Sequence, residues 1–261
     1  MRVALVGSRG RMGQRHLGFL TAAGHEVTEV DTVLGRFDLG RVAGDVDAAV
    51  IASPSPIHQE HAMPFIAAGL PVLIEKPVSV SIQDALTIES AANFYKSQVS
   101  VGYQERFNHA WRVLMPTLYG FGSLTIIRHS PRPEGQYGTV GMDLASHDID
   151  LLRFAYGDDL SIMPLLITQN VARYAFEAGI GTTGTIDARF LEPGDASTRT
   201  WYWHGRQRQM ADLANQPVST LKFEQDAWFD RIAGRRSDVC AIEDAVLNLR
   251  DAIGSINERT S

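Results

Sequence analysis

The sequence predicts an α/β protein: a doubly wound parallel sheet in the N-terminal part, followed by an α+β domain built on a mainly antiparallel sheet. Three observations carry that prediction. Five short apolar runs alternate with helical patterns over about the first hundred residues. A glycine-rich run, Gly7-Ser-Arg-Gly-Arg-Met-Gly13, joins the first apolar run to the first helical pattern. Beyond about residue 118 the pattern changes to alternating strands joined by Gly and Asp turns. The division into residues 1–118, a Rossmann domain whose glycine loop suits a dinucleotide, and 119–261, the α+β domain, follows that change.

The 261 residues, 44% hydrophobic and 21% charged, suffice for two modest domains with a real core. The net charge of −6 and the absence of a Lys/Arg run argue against nucleic acid or an anionic membrane as partner. The single cysteine, Cys240, excludes an internal disulfide and fits a reducing compartment. No stretch approaches a signal peptide or a membrane span, so a cytoplasmic protein is expected.

In order, Arg2 to Gly7 reads as a buried strand and the glycine loop leads into a helix carrying Met12, Leu17, Phe19 and Leu20. Glycines let the backbone approach a pyrophosphate, and the helix start supplies free N–H groups, so Gly7, Ser8, Arg9, Gly10, Arg11 and Met12 are cofactor candidates. The spacing is one residue longer than the usual G-x-G-x-x-G, which leaves open whether Gly7 or Ser8 takes the first glycine's place. Gly24 ends the helix, His25 to Val30 is a second strand, and Asp31 stands where an acid would bind a ribose 2′-hydroxyl. NAD is therefore favoured, with NADP possible if Arg9, Arg11 or Arg36 meets a 2′-phosphate; alternatively Asp31 only begins a turn.

A short helix is expected within 32–45. Val46 to Ala52 is strand three, followed by the rigid Ser53-Pro-Ser-Pro56 loop and a helix from about Ile57 to Ala68. Pro71-Val-Leu-Ile-Glu-Lys-Pro77 is a buried strand ending in a carboxylate, an ammonium and a proline. A parallel sheet binds its ligands beyond the carboxyl ends of its strands, so Glu75 and Lys76 are expected to project into that crevice. Ser81 starts a helix to Tyr95, and Val99 to Tyr103 is strand five, which puts Tyr103 and Arg106 on the cofactor side as substrate contacts. A helix to about Leu118 follows, then strands at Leu124–Arg128, Ile162–Val171, Gly184–Leu191 and Thr200–His204. Helices are expected at Asp143–Tyr156, Phe223–Ile232 and Glu243–Asn257.

Within Gly141-Met-Asp-Leu-Ala-Ser-His-Asp-Ile-Asp-Leu-Leu-Arg153, Asp143 and His147 are four apart and share one helix face. A histidine moves protons near neutral pH and a carboxylate within reach orients it. The same pair also suits a helix start where Asp143 meets the dipole and His147 fills a polar gap. Arg128, His129, Arg132, Tyr137, Arg153, Trp201, Trp203 and His204 are further polar and aromatic groups suited to a hydroxylated ring. No His, Cys or carboxylate cluster has metal-ligand spacing, so no metal is expected.

Gly10-Arg-Met-Gly13, Ser53-Pro54 with His58 following, Ala68-Gly-Leu-Pro-Val-Leu-Ile-Glu-Lys-Pro77, Val101-Gly-Tyr-Gln-Glu-Arg-Phe107 and the D-x-x-x-H of Asp143 and His147 together resemble the Gfo/Idh/MocA family. These are the oxidoreductases named for glucose-fructose oxidoreductase, inositol dehydrogenase and a rhizopine catabolism protein. The resemblance implies a catalytic triad of Lys76, Asp143 and His147. It also implies a Ser53-Pro54 loop along the nicotinamide, with His58 in the same motif, and a second domain that forms the substrate wall and the oligomer interface. A polyol or sugar-like substrate and a homodimer or homotetramer are expected. Two alternatives stand beside it: a dinucleotide-binding sensor of the same fold, and a dihydrodipicolinate reductase-like enzyme, which the G-x-x-G-R-M-G loop is similar to but whose histidines are missing.

Overall fold

A computed structural model describes all residues except 119, 133–137, 180, 206–207, 214–218 and 255–261. Two compact units divide the chain. The first joins Met1–Gln104 to Leu221–Val246, and the second joins Glu105–Thr220 to the chain from Leu247 onward. The division at residue 118 read from sequence thus falls inside the second unit, because Glu105 and the helix after it hydrogen-bond to that unit's own strands and loops. The chain also returns to the first unit for one helix and one strand.

In the first unit, β1 (Arg2–Val6), β2 (Glu26–Val30), β3 (Ala48–Ile51), β4 (Val72–Glu75) and β5 (Val99–Gly102) form a parallel sheet. β12 (Cys240–Ala241) pairs antiparallel with β5, giving the order β12-β5-β4-β3-β1-β2. β3, β4 and β5 are buried along their whole length, which fits strands covered by helices on both faces. The covering helices are α1 (Arg11–Ala22), α2 (Leu39–Asp45), α3 (His58–Ala67) and α4 (Ile82–Tyr95). Ser81 caps α4 by accepting from the Asp84 N–H at 3.3 Å. Trp228 of α7 (Thr220–Ile232) packs with Val3, Leu5, Val50 and Leu73 in one core. The chain leaves β1 toward β2 on one side and resumes at β3 on the other, so the carboxyl ends of β1 and β3 flank the switch point where such sheets bind ligands.

In the second unit the order is β11-β10-β6-β9-β8-β7: β11 (Arg208–Asp212), β10 (Thr198–His204), β6 (Gly122–Pro131), β9 (Thr182–Leu191), β8 (Val171–Ala178) and β7 (Leu160–Ile167). All neighbours are antiparallel except β6 with β9, which run parallel. One face packs α5 (His109–Leu114) and α6 (Ser146–Tyr156) into a core with Trp111, Ile126, Leu152, Tyr174 and Trp201. The strand expected over 162–171 is β7, which stops at Ile167. A turn ends it, with the Thr168 hydroxyl accepting from the Asn170 and Val171 N–H groups. β8 went unread because its buried face alternates Ala172, Tyr174, Phe176 and Ala178 with charged residues. α8 (Ile242–Ile253) closes the described chain; the end of the helix expected to Asn257 lies outside the described residues.

Candidate functional site

Gly7 turns the chain out of β1 at φ +82°, and a Cβ there would stand 2.5 Å from the Ser53 nitrogen. A Cβ on Gly13 would stand 2.0 Å from the Gly7 carbonyl oxygen. Neither position admits a side chain, so Gly7 takes the first glycine's place and Ser8 does not. Gly10 caps α1 with no side chain bonded to the helix amides, which leaves those donors aimed past the end of the sheet. The Gln14 amide donates to the Ser8 carbonyl at 2.7 Å and closes the loop. The hydroxyls of Ser8 and Ser53 are buried and have no partner among the described residues.

Asp31 ends β2 and accepts the Arg9 N–H at 2.9 Å on one oxygen and the Val33 N–H at 3.2 Å on the other. It begins a turn and is tied to the glycine loop at once. The Arg9 guanidinium pairs with Glu29 at 3.2 Å. Arg11 is exposed, and Met12 is half-buried with its sulfur 3.6 Å from the Arg15 guanidinium. An uncapped helix start, glycines that bring the backbone close, two buried hydroxyls and an acid at the end of β2 fit a dinucleotide.

Ser53 and Pro54 follow β3 directly, and Pro54 leads a 3-10 turn into α3. His58 is buried there, with Nε2 2.7 Å from the Ser53 carbonyl and Nδ1 3.0 Å from the Pro77 carbonyl. Burial pushes its pKa down, against the pull of those carbonyls and of Glu75. His58 therefore clips the β3 and β4 loops together, rather than presenting its ring to a ligand.

Glu75 and Lys76 separate at the end of β4. Lys76 is half-buried, and the Lys76–Pro77 peptide is cis. The Glu75 carboxylate, expected to project into the crevice, instead turns inward at 6% exposure and meets His16 Nε2 at 2.8 Å. A buried charge needs a partner, and α1 supplies it. Burial raises the Glu75 pKa, but the hydrogen bond from His16, with the nearby Lys76 charge, outweighs burial and holds it below the ordinary carboxylate range. Tyr103 is buried just past β5.

In the second unit Asp143 lies in a π-helical turn, Gly141–Ala145, that runs into α6, where His147 is the second residue. Both side chains are largely buried, at 5% and 9% exposure. A Cβ on Gly141 would come within 2.4 Å of the Ala252 carbonyl and 2.5 Å of the Tyr174 hydroxyl, so only glycine lets this turn seat against α8. The Ser146 hydroxyl donates to the Met142 carbonyl at 2.7 Å and steadies the widened turn.

Most other candidates of this unit are framework. Arg106 grips Asp150 through two bonds of 2.8 and 2.7 Å, at 3% exposure, so its guanidinium is committed to α6 rather than offered to a substrate. Arg128 grips Asp148 at 2.6 and 2.9 Å, and the Trp201 indole donates to the same carboxylate at 3.0 Å. Arg153 donates to Asn248 at 2.9 Å and pairs with Asp251. His129 lies 3.3 Å from Asp187, Arg132 covers the Phe190 ring, Trp203 is buried and His204 is exposed. Tyr137 lies outside the described residues.

Sequence reasoning missed His16, Gln225 and Asp148. His16 carried a signal: with Gly13 and Leu20 it lies on the buried face of α1, while Glu75 ends an otherwise apolar strand without a partner in sequence.

Residues 37–103 match the model of an oxidoreductase family with an NAD-binding Rossmann fold. Inositol 2-dehydrogenase 3 of Saccharopolyspora erythraea is 30% identical over 186 residues, 61% of this chain and 55% of its own length. The rhizopine catabolism protein MocA of Rhizobium meliloti is 27% identical over 186 residues, 60% of this chain and 58% of its own. The match thus spans little more than half the length of these curated relatives. Among solved structures, UDP-N-acetylglucosamine 3-dehydrogenase GnnA from Acidithiobacillus ferrooxidans superposes with a TM-score of 0.77 at 22% identity, over 97% of this chain and 95% of that one. Scyllo-inositol dehydrogenase from Lactobacillus casei, solved with NAD(H) and scyllo-inositol, superposes with a TM-score of 0.75 at 16% identity, over 97% and 95%. At that identity these structures speak for the fold.

Proposed function

We propose that the chain is an oxidoreductase of the Gfo/Idh/MocA type, an NAD-dependent dehydrogenase acting on a secondary alcohol of a sugar, sugar derivative or cyclitol. The observation that carries this reading is the cradle at the switch point: the uncapped start of α1 beside Gly7, with Asp31 held to the Arg9 N–H. The printed names of the relatives, inositol dehydrogenases and a nucleotide-sugar dehydrogenase, support the substrate class.

On this reading the α1 amides and the Ser8 hydroxyl take the pyrophosphate, and the Asp31 carboxylate takes the ribose hydroxyls. Asp31 keeps lone pairs for that role and its charge repels a 2′-phosphate, while Arg9 is engaged by Glu29, so NAD is preferred to NADP. A bound nicotinamide supplies the hydride acceptor that no side chain can offer. His147 takes the hydroxyl proton, the Lys76 ammonium stabilises the charge growing on that oxygen, and Asp143 orients the imidazole. In the reductive direction His147 returns the proton. Tyr103, past β5, is retained as a substrate contact.

The homodimer or homotetramer is assigned to the face of the second sheet opposite its helices. There Ile127, Asp187, Arg173 and Leu166 lie side by side in register across four strands. Cys240, the single cysteine, is buried, which is consistent with the cytoplasm. No helix among the described residues is long and apolar enough to cross a membrane.

The test is a fluorescence titration with NADH and NADPH, followed by a polyol and sugar screen at the reduced nicotinamide band. Lys76→Ala and His147→Ala are each expected to lose about a hundredfold in turnover while NADH binding holds. Parental turnover by either variant would remove these roles. Tight NADH binding without turnover across the panel would favour the sensor.

A further inference from the structure

Three groups form a buried polar chain in the first unit that the proposed chemistry does not use. Gln225 of α7 lies 2.6 Å from His16 Nδ1, His16 Nε2 lies 2.8 Å from Glu75 Oε1, and the Lys76 N–H donates to Glu75 Oε2 at 3.3 Å. His16 is fully buried, Gln225 is 3% exposed and Glu75 6%. Each link has one task. With the Gln225 amide donating to Nδ1, the ring is left with its proton on Nε2, aimed at the carboxylate. Gly102 faces Glu75 across the sheet, and a Cβ there would stand 3.3 Å from the carboxylate, so the strand leaves room for this acid to turn inward. Glu75 in turn accepts from the backbone N–H of the residue that carries the amine.

We infer that His16 is a positioning residue for Lys76: through Glu75 it fixes the backbone from which the amine projects, and Gln225 sets its tautomer. The inference rests on the proposed role of Lys76. It also assigns a task to the return of the chain into the first unit, since α7 supplies both Trp228 to the core and Gln225 to this chain of bonds.

A purely structural His16 would affect folding and every function alike. A positioning His16 separates turnover from cofactor binding and acts only through Glu75. His16→Leu is expected to cut kcat about a hundredfold while the Kd for NADH moves less than about threefold, the scale of a misplaced group rather than a lost one. His16→Gln, which keeps a donor for Glu75, is expected to recover kcat to within about tenfold of the parent. On a Glu75→Gln background, His16→Leu is expected to add less than about twofold, because the link it serves is already cut. Multiplying penalties, or a kcat for His16→Leu within about twofold of the parent, would overturn the inference.

A second readout does not depend on finding a substrate. The chain has only three lysines, Lys76, Lys96 and Lys222, and the latter two are exposed. Acetylation by sulfo-N-hydroxysuccinimide acetate, followed by peptide mass spectrometry, gives the rate at Lys76 relative to these internal references. His16→Leu is expected to change that ratio by about threefold or more, and His16→Gln by much less. An unchanged ratio in folded His16→Leu that still binds NADH overturns the inference alone. A parent that neither binds NADH nor turns over any polyol overturns the functional reading, while the labelling ratio still decides the placement of Lys76.

Discussion

Asp148 and Asp150 on α6 are each gripped by a buried guanidinium, from Arg128 and Arg106, whereas Glu75 in the first unit meets an imidazole and a backbone N–H. Around α6 the bonds continue outward: Asn248 donates to Asp150 at 2.8 Å, Asn108 to Glu105 at 2.8 Å, and Glu105 sits 3.6 Å from Arg128. In the first unit the Glu75 carboxylate stands at a strand end, beyond an apolar core. The difference teaches how to read a polar residue. At the end of a parallel strand it is a candidate for chemistry, while on a helix seated against an antiparallel sheet it is as readily a bracket that holds the helix in place.

The largest expected effect strikes the second unit's framework. Arg128→Met leaves Asp148 buried with only the Trp201 indole among its described partners, and should cost about 4 kcal/mol in chemical denaturation. A loss under about 1 kcal/mol would mean the pair is no bracket. Gly13→Ala sets the first unit's loop against the Gly7 carbonyl, 2.0 Å from the new Cβ, at about 3 kcal/mol, with NADH binding weakened beyond what stability explains. Unchanged NADH affinity in that variant would detach the loop from the cofactor.

The smallest effect sharpens the contrast between buried and exposed charge. Asp187 is held down to about 2, chiefly by the hydrogen bond from Arg189 and then, against partial burial, by Arg189, His129 and Arg173. Its folded pKa lies below the unfolded value, so its contribution is present above about pH 4 and fades as pH falls toward 2. Solvent screening discounts it to about 1 kcal/mol or less. Asp187→Asn should flatten the stability profile in that window by this amount; equal slopes for parent and variant would assign the acid sensitivity elsewhere.

The sequence by itself determined the strands and helices of about the first hundred residues and their order, because buried strands such as β1, β3 and β4 begin as apolar runs and the turns are marked by Gly, Pro or Ser. Ser81 as a cap, Gly24 as a stop and Asp31 at the end of β2 are local signals, legible without neighbours. β8 was missed because a strand with one face open alternates apolar with charged residues, and β11 because it is a short polar strand at the edge of the sheet; in sequence both look like loops. Only the tertiary structure decided what the polar residues do. Arg106, Arg128 and Arg153 looked like substrate contacts, and Glu75 like a group facing a crevice, until their partners arrived from 44, 20, 95 and 59 residues away. A charge announces its type in the sequence, but whether it faces water or a counter-charge is fixed by residues that only folding brings near.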